Sequence, residues 1–227
     1  MSFSKLDRRW QELSILLALM VLTTPIFWLT DLDRKAAALF YQPGAVENHW
    51  PVQTWWLWDA LYKYADIVAI TLAVCALLMT ISAYVLPSLT RFKRPALYIF
   101  LVIVLGPGLV VNAVFKDHWG RPRPVHTTDF GGEHAYIPPL KIGHTSDKSF
   151  PCGHCSVGYM LFALYFLSRR RKVFYFALTL VSALLLALAR MSAGGHFVSD
   201  ILWSGYLVFA VAWVVYYAWY QRGIDVH

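Results

Sequence analysis

Residues 189–200 read Ala-Arg-Met-Ser-Ala-Gly-Gly-His-Phe-Val-Ser-Asp, and they join two apolar runs at about 173–190 and 197–220. Apolar runs of this kind predict helices. The Gly-Gly pair between them permits a tight turn, because glycine adopts conformations that other residues avoid. The two helices should therefore form a hairpin, with the polar residues of the connecting stretch at its closed end.

Three of these polar residues can act together. His196 and Asp200 are four residues apart and therefore share one face of a helix. Asp200 can then accept a hydrogen bond from one imidazole nitrogen, which leaves the other nitrogen free as a nucleophile. Arg190 ends the first helix of the hairpin, so the turn brings it beside His196. For this stretch alone, a His–Asp pair that only satisfies buried polar groups is an equal alternative.

The composition is that of a membrane protein. Of the 227 residues, 58% are hydrophobic and 15% are charged, against about 25% charged residues in an average soluble domain. A helix needs about 20 mostly apolar residues to cross a bilayer. Six runs qualify or nearly qualify, at roughly 12–30, 65–87, 96–115, 154–168, 173–190 and 197–220. We expect an all-α polytopic membrane protein with six transmembrane helices in one bundle, and one domain over residues 1–227 with a motif-bearing core at about 96–220.

Basic residues predict the orientation, because cytoplasmic loops carry an excess of Lys and Arg. With six spans, four basic groups fall on one side: Lys5, Arg8 and Arg9; Arg91, Lys93 and Arg94; residues 169–172; and Arg222. Both termini should then be cytoplasmic, and the first run is interpreted as an uncleaved anchor because no small-x-small cleavage site follows it. The loops at 31–64, 116–153 and 191–196 should face the other side.

Two further polar stretches lie on that other side. Lys116 and Arg123 belong to Lys-Asp-His-Trp-Gly-Arg-Pro-Arg-Pro, residues 116–124. Lysine offers a point charge to phosphate oxygens, and arginine offers a two-pronged fork. His154 ends Phe-Pro-Cys-Gly-His, residues 150–154, where a helix start favours anions and a histidine can act as general acid. A basic interfacial loop and an interfacial histidine are the plain alternatives.

Taken together, the three stretches resemble the signature motifs of the type 2 phosphatidic acid phosphatases in both order and spacing. The matching segments are Lys-x6-Arg-Pro at 116–124, Pro-Cys-Gly-His at 151–154 and Ala-Arg-x5-His-x3-Asp at 189–200. The resemblance covers about the third to the sixth helix. It implies a six-helix bundle that removes phosphate without a metal ion or any other cofactor.

The resemblance also implies a set of phosphate-binding residues, namely Lys116, Arg123, Arg190, Gly153 and Cys152. The three cations would neutralise charge in the transition state, and Gly153 would donate its backbone N–H. The family has serine where Cys152 stands, and a thiol is a weaker donor than a hydroxyl.

The catalytic roles implied by the resemblance fall on His196, Asp200 and His154. His196 would attack phosphorus and form a phosphohistidine, with Asp200 orienting it. His154 would protonate the leaving oxygen and then activate water.

Cys152 and Cys155 flank His154 as Cys-x-x-Cys. Free thiols packed at a helix start are the preferred interpretation. A disulfide in an oxidising compartment and a zinc site are the alternatives, and zinc is least favoured because no second ligand pair has suitable spacing. We expect oxidation of the pair to distort His154 and to lower activity.

Two loops bear on substrate binding. The loop at 31–64 is rich in tryptophan, which favours an interfacial belt at the second helix over a short amphipathic helix in the headgroup zone. The polar loop at 125–149 is where we expect substrate discrimination. The candidate specificity residues there and just before it are Arg121, His126, Glu133 and His134.

A site at headgroup level suits a phosphate carried by a lipid, and the candidates are a phosphatidyl phosphate, an isoprenyl diphosphate and lipid A. The small size and short loops resemble bacterial members, so we expect the inner membrane with the site facing the periplasm. A lipid-to-lipid phosphotransferase using the same phosphohistidine is the first alternative, and a lipid carrier or transporter is the second. Nucleic acid is a poor partner because the basic residues cluster at segment ends.

Overall fold

The computed structural model describes residues 7–46 and 48–222, and within them it is helical with no strand. Lys5, used above for the orientation, lies outside these residues. The α-helices are α1 (Arg8–Leu29), α2 (Leu32–Ala38), α3 (Trp56–Val85), α4 (Lys93–Ile103), α5 (Asp117–Trp119), α6 (Gly153–Tyr159), α7 (Phe162–Leu167), α8 (Lys172–Ser192) and α9 (Val198–Val215). Short 3-10 segments occupy Pro51–Thr54, Pro87–Phe92, Pro124–His126 and Thr128–Phe130, and π-helix occupies Val104–Lys116 and Tyr216–Tyr220. The all-α expectation is confirmed.

Five helical segments of the described chain are long and apolar enough to cross a membrane. They are Arg8–Leu29, Trp56–Val85, Pro87–His126, Lys172–Ser192 and Val198–Tyr220. The expected fourth span is the shorter segment Gly153–Leu167, which is divided into α6 and α7. Each expected run therefore coincides with a helix or a pair of helices, while the count of six crossings and the cytoplasmic termini stay predictions.

The loop expected at 31–64 is shorter than predicted, because α3 begins at Trp56 and not near residue 65. Trp50 does not belong to an interfacial belt: it is buried and packs on Gly194 of the α8–α9 turn, where an added Cβ would lie 2.6 Å from the indole. Gly194 also has φ of +59°, so the turn needs glycine for its backbone as well. The loop thus supports the hairpin that the sequence predicts.

The third span changes from α-helix to π-helix at Val104. Pro107 has no N–H to donate and its ring crowds the preceding turn, so the ordinary hydrogen-bond ladder cannot continue there. Asn112 Nδ2 donates to the Pro107 carbonyl at 2.7 Å. The π-helix continues to Lys116, which is its last residue.

The helix α9 forms the centre of the bundle. Half of its most apolar stretch is buried inside the protein, a larger share than in any other candidate span of the described chain. Val208 and Ala212 of α9 are fully buried. Because α9 is central, its first turn, which carries Asp200, lies among the ends of the π-helix, α6 and α8.

Candidate active site

The three motif stretches converge at one end of the bundle, where two glycines allow close approach. At Gly153 an added Cβ would lie 2.8 Å from Lys116 Nζ, and at Gly195 it would collide with the Arg190 guanidinium. Side chains at these two positions would therefore displace the cations. The close packing brings lysine from the third span and arginine from α8 against the starts of α6 and α9.

Two openings lead to these cations. A cavity of about 720 Å³ is lined by Arg123 and Arg190 together with Trp56, Trp58 and Tyr62. A groove of about 660 Å³ between α3 and the third span ends at a polar group consisting of Asp66, Asn112, Lys116 and His154. Its other walls are mostly apolar. The cations are thus reached from an aromatic cavity on one side and from an apolar groove on the other.

The arginine side chains in this site are poorly satisfied by the protein. The Nε atoms of Arg123 and Arg190 are buried and have no hydrogen-bond partner in the part of the chain that the structure describes. Buried donors are nearly always hydrogen-bonded, and unpaired positive charge inside a protein is costly. An anion at this position would satisfy both requirements.

His196 is buried, with 1% of its surface exposed. Its Nδ1 lies 2.6 Å from the Ser149 carbonyl oxygen and 3.6 Å from Asp200 Oδ2. The carbonyl is thus the nearer acceptor for Nδ1–H, which leaves Nε2 unprotonated. Burial lowers the pKa of His196 to about 3, so the imidazole is neutral near pH 7.

The expected contact between Asp200 and His196 is therefore longer than a hydrogen bond, and Ser149 stands between them. The Ser149 hydroxyl donates to Asp200 Oδ2 at 2.7 Å, and the same carboxylate oxygen accepts from the Phe197 N–H at 2.8 Å. Asp200 consequently positions the residue whose carbonyl orients His196. Ser149 was not predicted from the sequence, because it acts through a backbone carbonyl and a hydroxyl, and neither distinguishes it from other serines.

Arg121, expected to discriminate substrates, is fully buried. Its guanidinium donates to Asp200 Oδ1 and Asp33 Oδ2 (2.9 Å), and also to the oxygens of Ser199, Ile137 and Tyr136. These contacts use all five guanidinium N–H groups. The expectation of a substrate contact is corrected accordingly, since Arg121 has no donor left to offer.

Asp33 of α2 is the second carboxylate on Arg121 and another residue that sequence analysis missed. Its Oδ1 accepts from the Ser199 N–H at 2.9 Å, and its Oδ2 accepts from the Tyr136 hydroxyl at 3.0 Å. Burial, with the adjacent Asp33, raises the pKa of Tyr136, so that hydroxyl keeps its proton. This buried network ties α2 to the first turn of α9.

The other candidate specificity residues are His126, Glu133 and His134. His126 is about half exposed, and its Nδ1 is 2.7 Å from Asp147 Oδ2, which also accepts from the Arg123 N–H at 3.0 Å. Glu133 and His134 are exposed and line neither the cavity nor the groove. A role of these three residues in substrate recognition stays a prediction.

Cys152 and Cys155 form a disulfide, with their Cα atoms 5.4 Å apart. The preferred interpretation as free thiols is thus replaced by the disulfide alternative. The Cys152 sulfur is buried and accepts from the Cys155 N–H at 3.2 Å. It has no hydrogen to donate, so the expected phosphate contact from this side chain is absent. The effect of the redox state on activity stays a prediction.

His154 lies in the first turn of α6, beside α3. Its Nε2 is 3.9 Å from Asp66 Oδ2, and its ring stacks on Tyr62 with the centroids 4.8 Å apart. The cations, His196 and His154 therefore occupy one region, as the three motifs predict.

Residues 72–224 of the chain match the family model of the PAP2 superfamily. The chain belongs to this family. A lipid A 4'-phosphatase of Francisella tularensis subsp. novicida is 43% identical over 136 residues, which are 58% of this chain and 61% of the relative. A lipid A 4'-phosphatase of Rhizobium leguminosarum is 36% identical over 114 residues, 48% of this chain and 49% of the relative.

A lipid A 1-phosphatase of Rhizobium johnstonii is 28% identical over 210 residues, 88% of this chain and 82% of the relative. The chain thus spans about half to three fifths of the two 4'-phosphatases and more of the 1-phosphatase. No solved structure matches the chain.

The PAP2 match contains every motif residue but not the whole surroundings of the site. It starts earlier than the core expected at 96–220. Asp33, Tyr62 and Asp66 all precede it. The N-terminal part of this PAP2 protein therefore adds contacts to His154 and to Arg121 that the family motifs do not include.

Proposed function

We propose that this PAP2 protein is a membrane phosphatase that hydrolyses the phosphate of a lipid phosphate or lipid diphosphate through a phosphohistidine on His196. The observation that carries the proposal is a buried neutral imidazole, held at Nδ1, beside arginines whose buried Nε atoms have no partner among the described residues. That arrangement combines a nucleophile with an anion site, which phosphoryl transfer requires.

The proposed reaction has two steps. Lys116, Arg123 and Arg190 hold the phosphate oxygens while His196 Nε2 attacks phosphorus and the bond to the leaving oxygen breaks. Protonated His154 gives its proton to that oxygen. Neutral His154 then takes a proton from water, the water attacks the phosphohistidine, and phosphate leaves with His196 neutral again.

The proposed substrate class includes lipid A, the substrate in the names of all three relatives. The aromatic cavity offers Trp56, Trp58 and Tyr62 beside the cations, which suits a bulky headgroup. The groove between α3 and the third span suits acyl chains. We place the site at the periplasmic face of a bacterial inner membrane, in accordance with the distribution of basic residues.

The direct test is phosphate release by the purified chain from lipid A, a phosphatidyl phosphate and an isoprenyl diphosphate, each with and without a chelator. We expect release from at least one lipid, lipid A foremost, unaffected by the chelator. Loss of activity with the chelator would contradict the metal-free mechanism. Phosphate recovered on a second lipid instead of in water would identify the phosphotransferase alternative.

A second prediction concerns acid stability. The pKa of His196 is about 3 in the folded chain and about 6.5 in an unfolded one. As pH falls below about 6.5 the unfolded state binds this proton first, so the folded state loses stability down to about pH 3. His196→Gln should remove roughly 2–3 kcal/mol of the destabilisation between pH 7 and pH 4.5. Thermal unfolding in detergent at both pH values measures it.

The matched control for this prediction is His134→Gln, because His134 is exposed. The difference in stability between pH 7 and pH 4.5 should be the same in His134→Gln as in the parent chain. Equal losses of stability in His196→Gln and the parent would contradict a neutral buried His196.

A further inference from the structure

The helix α3 places a carboxylate and an aromatic ring against His154. Tyr62 and Asp66 are four residues apart and therefore share one face of α3. Asp66 belongs to a helix long and apolar enough to cross the membrane. An ionisable residue in such a helix is costly, so its position calls for a functional explanation.

Asp66 has one ion-pair contact among the described residues, and that contact is His154. Asp66 Oδ2 lies 3.9 Å from His154 Nε2, and the Asp66 side chain is 66% exposed. It lines the same groove as Lys116 and His154. Among the described residues, the Asp66 carboxylate therefore forms no salt bridge with a lysine or arginine.

Tyr62 contacts both His154 and Arg190. Its ring stacks on His154, with centroids 4.8 Å apart and an angle of 18° between the planes. The Arg190 guanidinium carbon lies 4.6 Å from the centroid of the same ring. An aromatic face attracts cations, so this ring favours both a protonated His154 and the guanidinium of Arg190.

The charges around His154 make these contacts significant for the reaction. Burial opposes protonation of this imidazole, and Arg190 from α8 and Lys116 from the third span oppose it electrostatically. A general acid must hold its proton at the start of the reaction. Asp66 supplies the opposing negative charge, and Tyr62 contacts both the imidazole and Arg190.

We propose that Tyr62 and Asp66 are positioning residues for His154, which hold the imidazole in its orientation and favour the protonated form that serves the leaving oxygen. This inference rests on the proposed phosphatase function. It adds two residues of α3 that lie outside the PAP2 match.

The test compares two substrates with the purified chain. A lipid phosphate has an alkoxide-like leaving oxygen that needs a proton, whereas para-nitrophenyl phosphate releases a stable anion that does not. Asp66→Asn should lower kcat for the lipid phosphate about 10- to 100-fold with little change in KM, and it should move the alkaline limb of the pH profile to lower pH. Activity on the aryl phosphate should be nearly unchanged.

Rescue and control variants make the outcome specific. Asp66→Glu should recover part of the lipid phosphate activity. Tyr62→Leu should reproduce the selective loss, whereas Tyr62→Phe, which keeps the ring, should retain more lipid phosphate activity than Tyr62→Leu. Asp31→Asn is the control, since Asp31 is exposed and pairs with Arg34. Equal loss on both substrates in Asp66→Asn, or no loss on either, would overturn the proposal.

A readout that needs no turnover separates this proposal from the function on which it rests. In the 15N-histidine NMR spectrum, the protonation midpoint of His154 should fall by roughly one pH unit in Asp66→Asn. An unchanged midpoint would overturn the positioning role. If the parent chain releases phosphate from no substrate but the midpoint still shifts in Asp66→Asn, the phosphatase function is rejected. The effect of Asp66 on His154 is then retained.

Discussion

His196→Asn is expected to lower phosphate release by about 10⁴-fold or more, the scale seen when a catalytic nucleophile is removed. The asparagine amide can still donate to the Ser149 carbonyl, which accepts from Nδ1 of the native imidazole. It presents no basic nitrogen toward the phosphate site. The substitution thus removes the nucleophile and leaves the surrounding hydrogen bonds largely satisfied.

Two measurements on His196→Asn distinguish the candidate functions. Binding of inorganic phosphate should stay within a few-fold of the parent, because Lys116, Arg123 and Arg190 remain. Labelling with a ³²P-lipid phosphate should give no phosphohistidine in the variant, whereas brief reaction with the parent should give one. A carrier would move its lipid equally well in both proteins, and undiminished phosphate release by the variant would rule out His196 as nucleophile.

Arg121→Gln should be among the most destabilising single changes in the described chain. It leaves Asp33 and Asp200 buried without their common partner, and breaking a buried ion pair from one side costs about 3–5 kcal/mol. That is a large part of the stability of an ordinary domain. We expect a low yield of folded protein and a clearly lower thermal unfolding temperature in detergent.

A double-variant comparison isolates the charge effect. Arg121→Gln with Asp33→Asn removes one of the two stranded carboxylates, so it should be more stable than Arg121→Gln alone. Arg34→Gln serves as the control, because Arg34 is partly exposed and pairs with exposed Asp31. A stable Arg121→Gln protein, or a double variant less stable than the single one, would contradict the stabilising network.

Most of the architecture was predictable from the chain. Apolar runs alternate with polar stretches, so the order and approximate limits of the helices follow from local composition. The break of the fourth run into α6 and α7 was not predicted. Gly158 packs closely against α8: a Cβ added to it would lie 2.6 Å from the Ala183 backbone. Such a contact depends on the partner helix.

The roles of neighbouring arginines show the limit of motif reasoning. Arg121 and Arg123 are two residues apart in one basic stretch, and residue type does not distinguish them. Arg123 lines the cavity, with a buried Nε that lacks a partner among the described residues, whereas Arg121 points into Asp33 and Asp200. Asp33 is 88 residues away from Arg121 along the chain. No local sequence pattern can therefore indicate which of the two arginines binds the buried carboxylates.

The helical architecture and the meeting of the motif residues could be inferred from the chain, because the lengths of the apolar runs and the residues at their ends are local properties. The motif residues are Lys116, Arg123, Arg190, His154 and His196. Which groups surround the two histidines depends instead on how the helices pack. The Ser149 carbonyl beside His196 and Asp66 beside His154 come from other segments. Their roles depend on distance and burial, which arise only when the helices pack together.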